Sequence, residues 1–313
     1  MSDFGIFGRN GFPKVEAKPE PPQLKDRILA AFKRKNEKKR YYLGCSSLGD
    51  ECERSAWYQY RHISAPNFSD RMEKLLDHGH KEEARHRAAF RRAGIEMYGD
   101  QHAVSAFGGI LKGHTDGFAY IDHAMVDSVE IKDEVLLWEM KTGNKNSFAD
   151  ISNKVTKTGS TRAHGVRAKK PQHYAQMQLY MGLSGAPGDA RALYTMSCKD
   201  NDDIYLEVVP FNQEYFDELM ARAERVATGP ITVRPYKNPE FFKCRFCDAK
   251  EVCWGEENVP VICGSCSHWT VDINGGRTLC ALTGNDARQD ESCVDHAMIP
   301  ELEQNQKTFV FWT

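Results

Sequence analysis

Two stretches of sequence decide the fold of this chain: residues 111–118, LKGHTDGF, and residues 137–142, LWEMKT. Apolar residues surround the charged ones in the second stretch, as in a β-strand. Side chains alternate between the two faces of a strand, so Glu139 and Lys141 are predicted to project to the same side. A charged pair is costly to bury without partners. These residues alone leave two interpretations open: strand-end charges that face solvent, or a site in which the charges have bound partners.

A carboxylate in the first stretch favours the second interpretation. Asp116 and Glu139 offer hard oxygen ligands of the kind that Mg²⁺ and Mn²⁺ prefer. Such ions activate water and stabilise an in-line attack on phosphorus, and Lys141 would orient or deprotonate the attacking water. The three residues therefore predict a hydrolytic site that depends on a divalent metal.

The rest of the chain alternates helix-like and strand-like periodicity around these stretches. Helices are predicted at residues 70–93, 171–183 and 213–227. Strands are predicted at residues 104–107, 110–121, 135–141, 191–197 and 204–209. This order predicts an α/β fold, with a central mixed sheet flanked by helices.

Composition argues against several classes of protein. The chain has 313 residues and a formal net charge of −2, so charge balance alone does not indicate nucleic-acid binding. No stretch approaches the ~20 apolar residues that cross a bilayer, and the N-terminus lacks the pattern of a secretory signal. A cytoplasmic location is therefore expected, where thiols stay reduced, and the ten cysteines are interpreted as metal ligands. No Walker A motif is present, so an ATP-driven motor is not expected.

Two further motifs flank the predicted hydrolytic site in sequence. Gln176 and Tyr180 lie one turn apart on one face of the predicted helix at residues 171–183. Upstream, Glu83 follows Gly79 by four residues in the first long helix. Both motifs add polar side chains to the two stretches that contain the charged residues.

The order of these motifs, G-x-x-x-E, G-x-x-D-G, E-x-K and Q-x-x-x-Y, resembles the PD-(D/E)xK nuclease superfamily. More narrowly it resembles the RecB-like exonuclease branch, with its CRISPR-associated iron–sulfur nucleases and bacteriophage relatives. The resemblance covers residues 41–255 and implies a restriction-endonuclease-like core. It implies a metal-dependent DNA exonuclease acting at DNA ends or in single strands, with 5′-to-3′ polarity favoured. The expected setting is recombination, repair or phage DNA processing, in the bacterial host cytoplasm if a phage encodes the protein.

The resemblance also implies roles for individual residues. Asp116 and Glu139 match the metal-binding carboxylates, and Lys141 matches the catalytic lysine. Gln176 and Tyr180 match the motif that contacts DNA near the active site.

The first metal ligand of the family is usually a histidine four residues after a glycine. Glu83 stands at that position here, as in relatives of the lambda-exonuclease type, whereas His80 comes directly after the glycine. Glu83 is the expected ligand, and His80 is the alternative.

A first group of cysteines follows the third long helix. Cys244, Cys247 and Cys253 have the spacing C-x2-C-x5-C, and such closely spaced thiolates can share one metal centre. The stretch around Cys52 resembles the C-x-R-x-x-W-Y segment that supplies the distant cysteine of the iron–sulfur nucleases. The resemblance implies a 4Fe–4S cluster on these four residues, an iron–sulfur clasp that joins the ends of the nuclease domain. Cys45 is the competing fourth ligand, and zinc on the same thiolates stays open.

A second group of cysteines lies in the roughly fifty residues after Pro260. Cys263, Cys266, Cys280 and Cys293 have the spacing C-x2-C-x13-C-x12-C. So short a segment cannot form a stable apolar core by itself, and zinc would supply the missing stability. Cys293 is the expected fourth ligand, and His296 is the alternative.

These groups divide the chain into three predicted parts: a leader with a basic helix at residues 1–40, a nuclease domain at 41–258 and a zinc-binding tail at 259–313. The tail is predicted to be a small zinc ribbon with its turn at Gly275-Gly276. An alternative function is a nucleic-acid-binding adaptor whose nuclease centre is accessory or inactive. Its tail would then dock a helicase, recombinase or replisome partner.

A basic segment lies between the E-x-K strand and the Q-x-x-x-Y helix. Residues 142–170 contain seven Lys and Arg against one Asp, and they are predicted to form a long polar loop. Lys154, Lys157, Arg167 and Lys169 are the expected phosphate contacts. A solvated loop without DNA contacts is the other interpretation.

Overall fold

The computed structural model describes residues 39–64, 69–152 and 163–303, together with Lys25 and Ala31. The predicted leader, most of the predicted basic helix, Lys154 and Lys157 lie outside the described residues. Among the described residues, no helix is both long enough and apolar enough to cross a bilayer.

Ten strands and eight α-helices lie in the described parts of the chain. The strands are β1 (Leu43–Gly44), β2 (Glu96–Tyr98), β3 (Ala103–Ala106), β4 (Leu111–His114), β5 (Gly117–Val126), β6 (Val129–Gly143), β7 (Arg191–Cys198), β8 (Ile204–Pro210), β9 (Trp269–Asp272) and β10 (Arg277–Cys280). The helices are α1 (Glu53–Tyr60), α2 (Asp70–Arg92), α3 (Lys145–Ser152), α4 (Gly165–Lys169), α5 (Pro171–Leu183), α6 (Gln213–Thr228), α7 (Phe242–Arg245) and α8 (Lys250–Trp254). Short 3₁₀ turns occur at Cys45–Ser47, Phe107–Gly109 and Cys263–Ser265.

Five strands form the central sheet, in the order β2-β5-β6-β7-β8. β6 pairs with β7 in parallel, whereas the other three pairs are antiparallel. A parallel pair needs a crossover connection, and here the chain between the two strands contains α3, α4 and α5. The predicted mixed sheet is therefore confirmed. A second sheet has the order β1-β4-β3, and β9 and β10 form a separate hairpin.

Apolar side chains cover both faces of β6. On one face, Trp138 and Met140 belong to one buried cluster, and Phe90 of α2 lies against Trp138 with ring centroids 5.7 Å apart. On the other face, Leu137 belongs to a larger buried cluster that includes Leu179 of α5. Helices therefore flank the central sheet on both sides.

The bounds of α2 follow from its terminal residues. Ser69 precedes the helix, and its hydroxyl accepts a hydrogen bond from the backbone N–H of Met72 at 3.3 Å. Asp70 lies in the first turn, and Arg91 and Arg92 lie in the last, where their charges complement the helix dipole. This long helix supplies Glu83 to the region described below.

The prediction of a single strand over residues 110–121 was wrong. β4 and β5 belong to different sheets, and Asp116 lies between them. Gly117 has a φ of +146°, and a Cβ there would lie 3.0 Å from the Arg87 guanidinium and from the Tyr98 carbonyl oxygen. Only glycine fits this backbone, so the strand breaks here and leaves Asp116 at the junction of two sheets.

The prediction of one long polar loop over residues 142–170 was also wrong, because the segment contains α3 and α4. The side chain of Asn144 accepts a hydrogen bond from the backbone of Ser147 at 2.8 Å, which starts α3. The backbone of Val166 donates to the Glu207 carboxylate on β8 at 2.7 Å, which fixes α4 to the sheet. A carboxylate more than forty residues away is not visible in the local pattern.

The tail forms the predicted hairpin, with Gly275-Gly276 between β9 and β10. It packs against α1 rather than standing apart. The guanidinium of Arg61 lies between two rings, 4.4 Å from the Trp57 centroid and 4.6 Å from the Trp269 centroid. Arg61 also donates to the Gly264 carbonyl oxygen at 3.1 Å. The tail and the first described helix therefore share one buried interface.

Candidate active site

The two defining stretches bring three charged side chains together at the β4–β5 junction. A carboxylate oxygen of Asp116 accepts a hydrogen bond from the backbone N–H of Met140 at 2.7 Å. The ammonium group of Lys141 donates to Oε1 of Glu139. Glu139 is 0% exposed, and its Oε2 has no hydrogen-bond partner among the described residues. A fully buried carboxylate with one unpaired oxygen is costly unless a partner binds it.

The electrostatics around these groups favour binding of a cation. Burial raises the pKa of Glu139 to about 8, and the Asp116 carboxylate adds to this rise while Lys141 opposes it. Burial opposes the charge on Lys141, but the carboxylates of Glu139 and Asp116 outweigh it and raise the pKa of the ammonium group. A cation at the unpaired oxygen of Glu139 would relieve the repulsion between the two carboxylates. The donor set therefore fits a hard divalent ion.

Glu83 lies close enough to the site to interact with it electrostatically. Burial raises the pKa of Glu83, and the Asp116 carboxylate adds to the rise. Its Oε1 accepts hydrogen bonds from Arg87 at 3.1 Å and from Gln101 at 3.4 Å. His80, the alternative first ligand, is exposed on the same helix.

Arg87 belongs to the site and was missed in the sequence. It donates to the Asp116 carbonyl oxygen and to Asp100, and its guanidinium lies 5.0 Å from the Trp138 ring centroid. The i,i+4 spacing from Glu83 on a helix was the signal that could have found it. Arg87 holds the β4–β5 junction against α2.

The predicted DNA-contacting pair forms an internal hydrogen bond. Gln176 donates to the Tyr180 hydroxyl at 2.9 Å. Tyr180 is buried and Gln176 is half-buried. Burial raises the pKa of Tyr180, and the Glu139 carboxylate adds to the rise, so the pair borders the charged site.

A half-buried histidine that contacts a buried tyrosine on the same side was not predicted. Nδ1 of His173 lies 2.9 Å from the Tyr194 hydroxyl. Tyr194 is the register partner of Glu139 on the neighbouring strand β7. Burial lowers the pKa of His173 to about 3, with the positive charges of Lys141 and Lys170 contributing. The ring is therefore neutral beside the lysine.

The described part of the basic segment forms local contacts. The guanidinium of Arg167 lies 5.5 Å from the Tyr174 ring centroid, and Lys169 lies 3.9 Å from Asp150. Lys170 donates to the Ser147 hydroxyl at 2.7 Å. These contacts tie α4 to α3 and α5.

The four cysteines of the first group line one pocket. Cys52 precedes α1, Cys244 lies in α7, and Cys247 and Cys253 follow it. Burial raises the pKa of Cys52 to about 11, and negative charge at Cys247 and Cys253 adds to the rise. Arg54 also lines the pocket, and its Nε donates to Cys253 Sγ at 3.3 Å.

Cys45, the competing ligand, does not line the pocket of the first group. It lies beside Gly113 and is buried. Burial raises the pKa of Cys45 to about 12, which is typical of a packed thiol.

The second group of cysteines lines a pocket of its own in the tail. Cys263, Cys266, Cys280 and Cys293 all contribute, and His296 also borders the pocket. Nε2 of His296 lies 3.1 Å from the Ser265 hydroxyl and 3.1 Å from the Ile262 carbonyl oxygen. Nε2 of His296 is therefore within hydrogen-bond distance of two protein groups. The four cysteines of the pocket are free thiols and form no disulfides.

In the described ranges, no group of three or more His, Cys, Asp or Glu side chains is arranged as a metal site. The cysteine pockets collect the predicted ligands without holding them in ligand geometry. The metal sites of the sequence analysis therefore stay predictions.

Comparison with known proteins gives one family. Residues 21–254 match the family model described as the PD-(D/E)XK nuclease superfamily. No curated protein matches the chain. Among solved structures, SSO0001 is similar with a TM-score of 0.38 and 13% identity, over 70% of this chain and 88% of that one. An alkaline exonuclease from Laribacter hongkongensis is similar with a TM-score of 0.37 and 14% identity, over 59% of this chain and 86% of that one.

Proposed function

The chain belongs to the PD-(D/E)XK nuclease superfamily, and from this premise we propose that it is a metal-dependent deoxyribonuclease. Its expected reaction is exonucleolytic hydrolysis of phosphodiester bonds at DNA ends or in single strands, in recombination, repair or phage DNA processing. A 5′-to-3′ polarity is the favoured direction.

One observation supports this proposal above the others. Oε2 of Glu139 is buried without a hydrogen-bond partner among the described residues, next to Asp116 and Lys141. The Lys141 ammonium satisfies only Oε1, and a buried acceptor left without a hydrogen bond costs about 1–3 kcal/mol. If Glu139 binds a cation, its Oε2 has no need of a hydrogen-bond partner within the protein.

Each residue of the site then has a proposed role. Glu83, Asp116 and Glu139 would hold Mg²⁺ or Mn²⁺, which supplies Lewis-acid activation of water and stabilises the charge that develops on phosphorus. Lys141 would orient the attacking water or accept its proton. Gln176, with its amide held by Tyr180, would position the DNA backbone beside the site.

The phosphate contacts proposed outside this centre are Arg167 and Lys169, with Lys154 and Lys157 of the same segment. Arg167 is exposed, and α4 lies directly before the helix of Gln176. Cations at this place would attract the DNA backbone without reading its bases.

Two structural metal centres complete the proposal. Cys52, Cys244, Cys247 and Cys253 would bind a 4Fe–4S cluster, and the thiols of the second group would bind zinc. The supporting observation is that each group of four thiols lines a single pocket. Four thiolates are the usual ligand set for either centre.

End-labelled single-stranded and double-stranded DNA, incubated with Mg²⁺ or Mn²⁺, tests the proposed activity. We expect shortening of linear DNA and no cleavage of closed circular single strands, because an exonuclease needs an end. Glu139→Gln keeps the shape of the side chain and removes its charge. We expect it to lower the rate at least about 100-fold, the usual loss when a group that stabilises the transition state is removed.

Glu130→Gln is the matched control, because Glu130 lies on the same strand but is exposed. It should cleave at the wild-type rate. Full activity of Glu139→Gln would contradict the assignment of the active site, and cleavage of closed circles would contradict the exonuclease proposal.

A further inference from the structure

Four aromatic side chains lie beside the first cysteine pocket, three of them exposed and Tyr236 half-buried. We call Tyr236, Phe241, Phe242 and Phe246 the aromatic strip. Phe242 is 55% exposed and Phe246 is 87% exposed. Phe246 follows Phe242 by four residues, across the single turn of α7. Large exposed aromatic residues grouped in this way mark an interaction surface. The proposed nuclease chemistry does not use it.

The strip has a defined shape. The rings of Tyr236 and Phe241 are stacked, with centroids 4.3 Å apart, and the rings of Phe241 and Phe242 follow at 4.9 Å. The Tyr236 hydroxyl donates to the Glu51 carboxylate at 3.2 Å, which fixes one end of the row. The rings of Tyr236, Phe241 and Phe242 thus hold one another in place without a ligand.

Exposed cations lie next to the aromatic residues in the sequence. Lys237 and Arg245 are exposed, and neither forms an ion pair with a described residue. By contrast, Lys243 is paired with Glu51 at 2.6 Å. The strip therefore presents π-faces together with two cations that have no ion-pair partner among the described residues.

Single-stranded nucleic acid has the matching chemistry. Its unpaired bases stack on aromatic rings and its phosphates attract cations, whereas the bases of a duplex are enclosed in their own stack. A purely apolar partner would leave Lys237 and Arg245 without a counter-charge. We infer that the aromatic strip binds single-stranded DNA outside the candidate active site. This inference rests on the proposed function, and it names single strands as the preferred DNA.

The affinity of the full chain for DNA tests this inference, measured by fluorescence anisotropy in EDTA so that no cleavage occurs. The probes are a fluorescent oligothymidylate of about 20 nucleotides, longer than the 4–16 that one binding module usually covers, and a duplex of the same length. The Phe242→Ala/Phe246→Ala variant should bind the single strand roughly 10-fold more weakly or worse, because each lost stacking contact accounts for about that factor. Its affinity for the duplex should not change.

Two single variants separate stacking from general apolar contact. Phe246→Trp keeps a flat ring and should keep the affinity, whereas Phe246→Leu keeps the apolar surface and should lose it. Leu282→Ala/Val294→Ala removes two exposed apolar side chains of the tail and is the matched control. It should bind as the wild type does.

Equal single-strand affinity in the wild type and the double alanine variant would overturn the inference, while cleavage by the wild type would leave the nuclease proposal intact. A fall in molecular mass of the double variant on size-exclusion chromatography would also overturn it, because the strip would then be covered by a second copy of the chain. Loss of cleavage by Glu139→Gln has no bearing on the strip, because the affinity of the strip for DNA is measured separately, in EDTA, where no cleavage occurs.

Discussion

Single side chains determine the electrostatic environment of Lys141. Glu139 accepts a hydrogen bond from the lysine on the same strand. His173 of α5 and Tyr194 of β7 are within hydrogen-bond distance of each other, and the charge of Lys141 acts on both side chains. A neutral imidazole here is important, because a second positive charge next to Lys141 would be costly in a buried region. The protonation of His173 therefore links the stability of the site to pH.

His173 should make the fold less stable as the solution becomes acidic. Burial lowers the pKa of His173 to about 3, whereas an unfolded histidine titrates near 6.5. The unfolded chain thus takes up a proton below pH ~6.5 that the folded chain refuses. The stabilisation from this residue is complete above that pH and falls as the pH drops towards 3.

Melting temperatures of the wild type and His173→Gln between pH 4 and 7 measure this effect, because a glutamine amide can form the hydrogen bond with Tyr194 without titrating. We expect the advantage of the wild type to shrink towards pH 4. The exposed residue His123, changed to Gln, should leave the slope as it is. Parallel curves for the wild type and His173→Gln would contradict the prediction.

At the same scale, the sequence predicted the charged centre but not its surroundings. Glu139 and Lys141 share a side of β6 because alternation along a strand is a local property. The contacts of Arg87 with the β4–β5 junction and the pairing of His173 with Tyr194 depend on how distant elements pack. No local pattern contains that information.

Individual elements were predicted best where a helical pattern of apolar residues extends over many residues. The helices α2, α5 and α6 were predicted within a residue of their bounds, whereas the break at Gly117 and the short helices α3 and α4 were missed. The break depends on a close approach of Arg87 and Tyr98, and α4 depends on Glu207. Tertiary contacts override local preference in both places.

The basic segment that contains α4 should determine how strongly salt weakens DNA binding. Neutralising Lys154, Lys157, Arg167 and Lys169 together as glutamines removes up to four phosphate contacts. Each contact contributes about 0.7–0.9 to the slope of log affinity against log salt. We expect weaker binding and a shallower slope in EDTA.

The control for this variant is Lys132→Gln/Arg92→Gln, which removes two exposed cations from β6 and from the end of α2. Its slope should stay at the wild-type value. The same slope in the fourfold variant would mean that the segment is solvated and takes no part in binding.

At the scale of the whole molecule, the two cysteine groups stabilise different parts. The pocket of the first group joins α1 to the segment after α6, while the pocket of the second lies within the tail. The boundary predicted at residue 258 remains a prediction, and the Arg61 interface crosses it. Sequence spacing separated the two groups, but it contained no sign that the tail packs on α1.

Two single variants should show which group of cysteines binds iron and which binds zinc. We expect anaerobically purified wild type to be brown, with about four irons per chain from one cluster, and to contain about one zinc. Cys52→Ser should lose iron and colour and keep zinc. Cys266→Ser should lose zinc and keep the colour and most of the nuclease activity.

Elemental analysis and visible absorption of both variants measure this outcome, with Cys198→Ser as the control because Cys198 is buried in β7 away from both pockets. Loss of both metals from either variant would mean that the cysteines are divided wrongly. Zinc in place of iron in the wild type would contradict the 4Fe–4S proposal alone.

The interface at Arg61 also sets an order of events during synthesis. Its guanidinium bonds to Gly264, which lies 203 residues later in the chain. At translation rates of roughly 5–20 residues per second, the ribosome makes this partner about 10–40 s after Arg61. Both defining stretches are made within that interval, and until it ends α1 still has one side open to water. The last described part of the chain to be translated is therefore the part that covers α1.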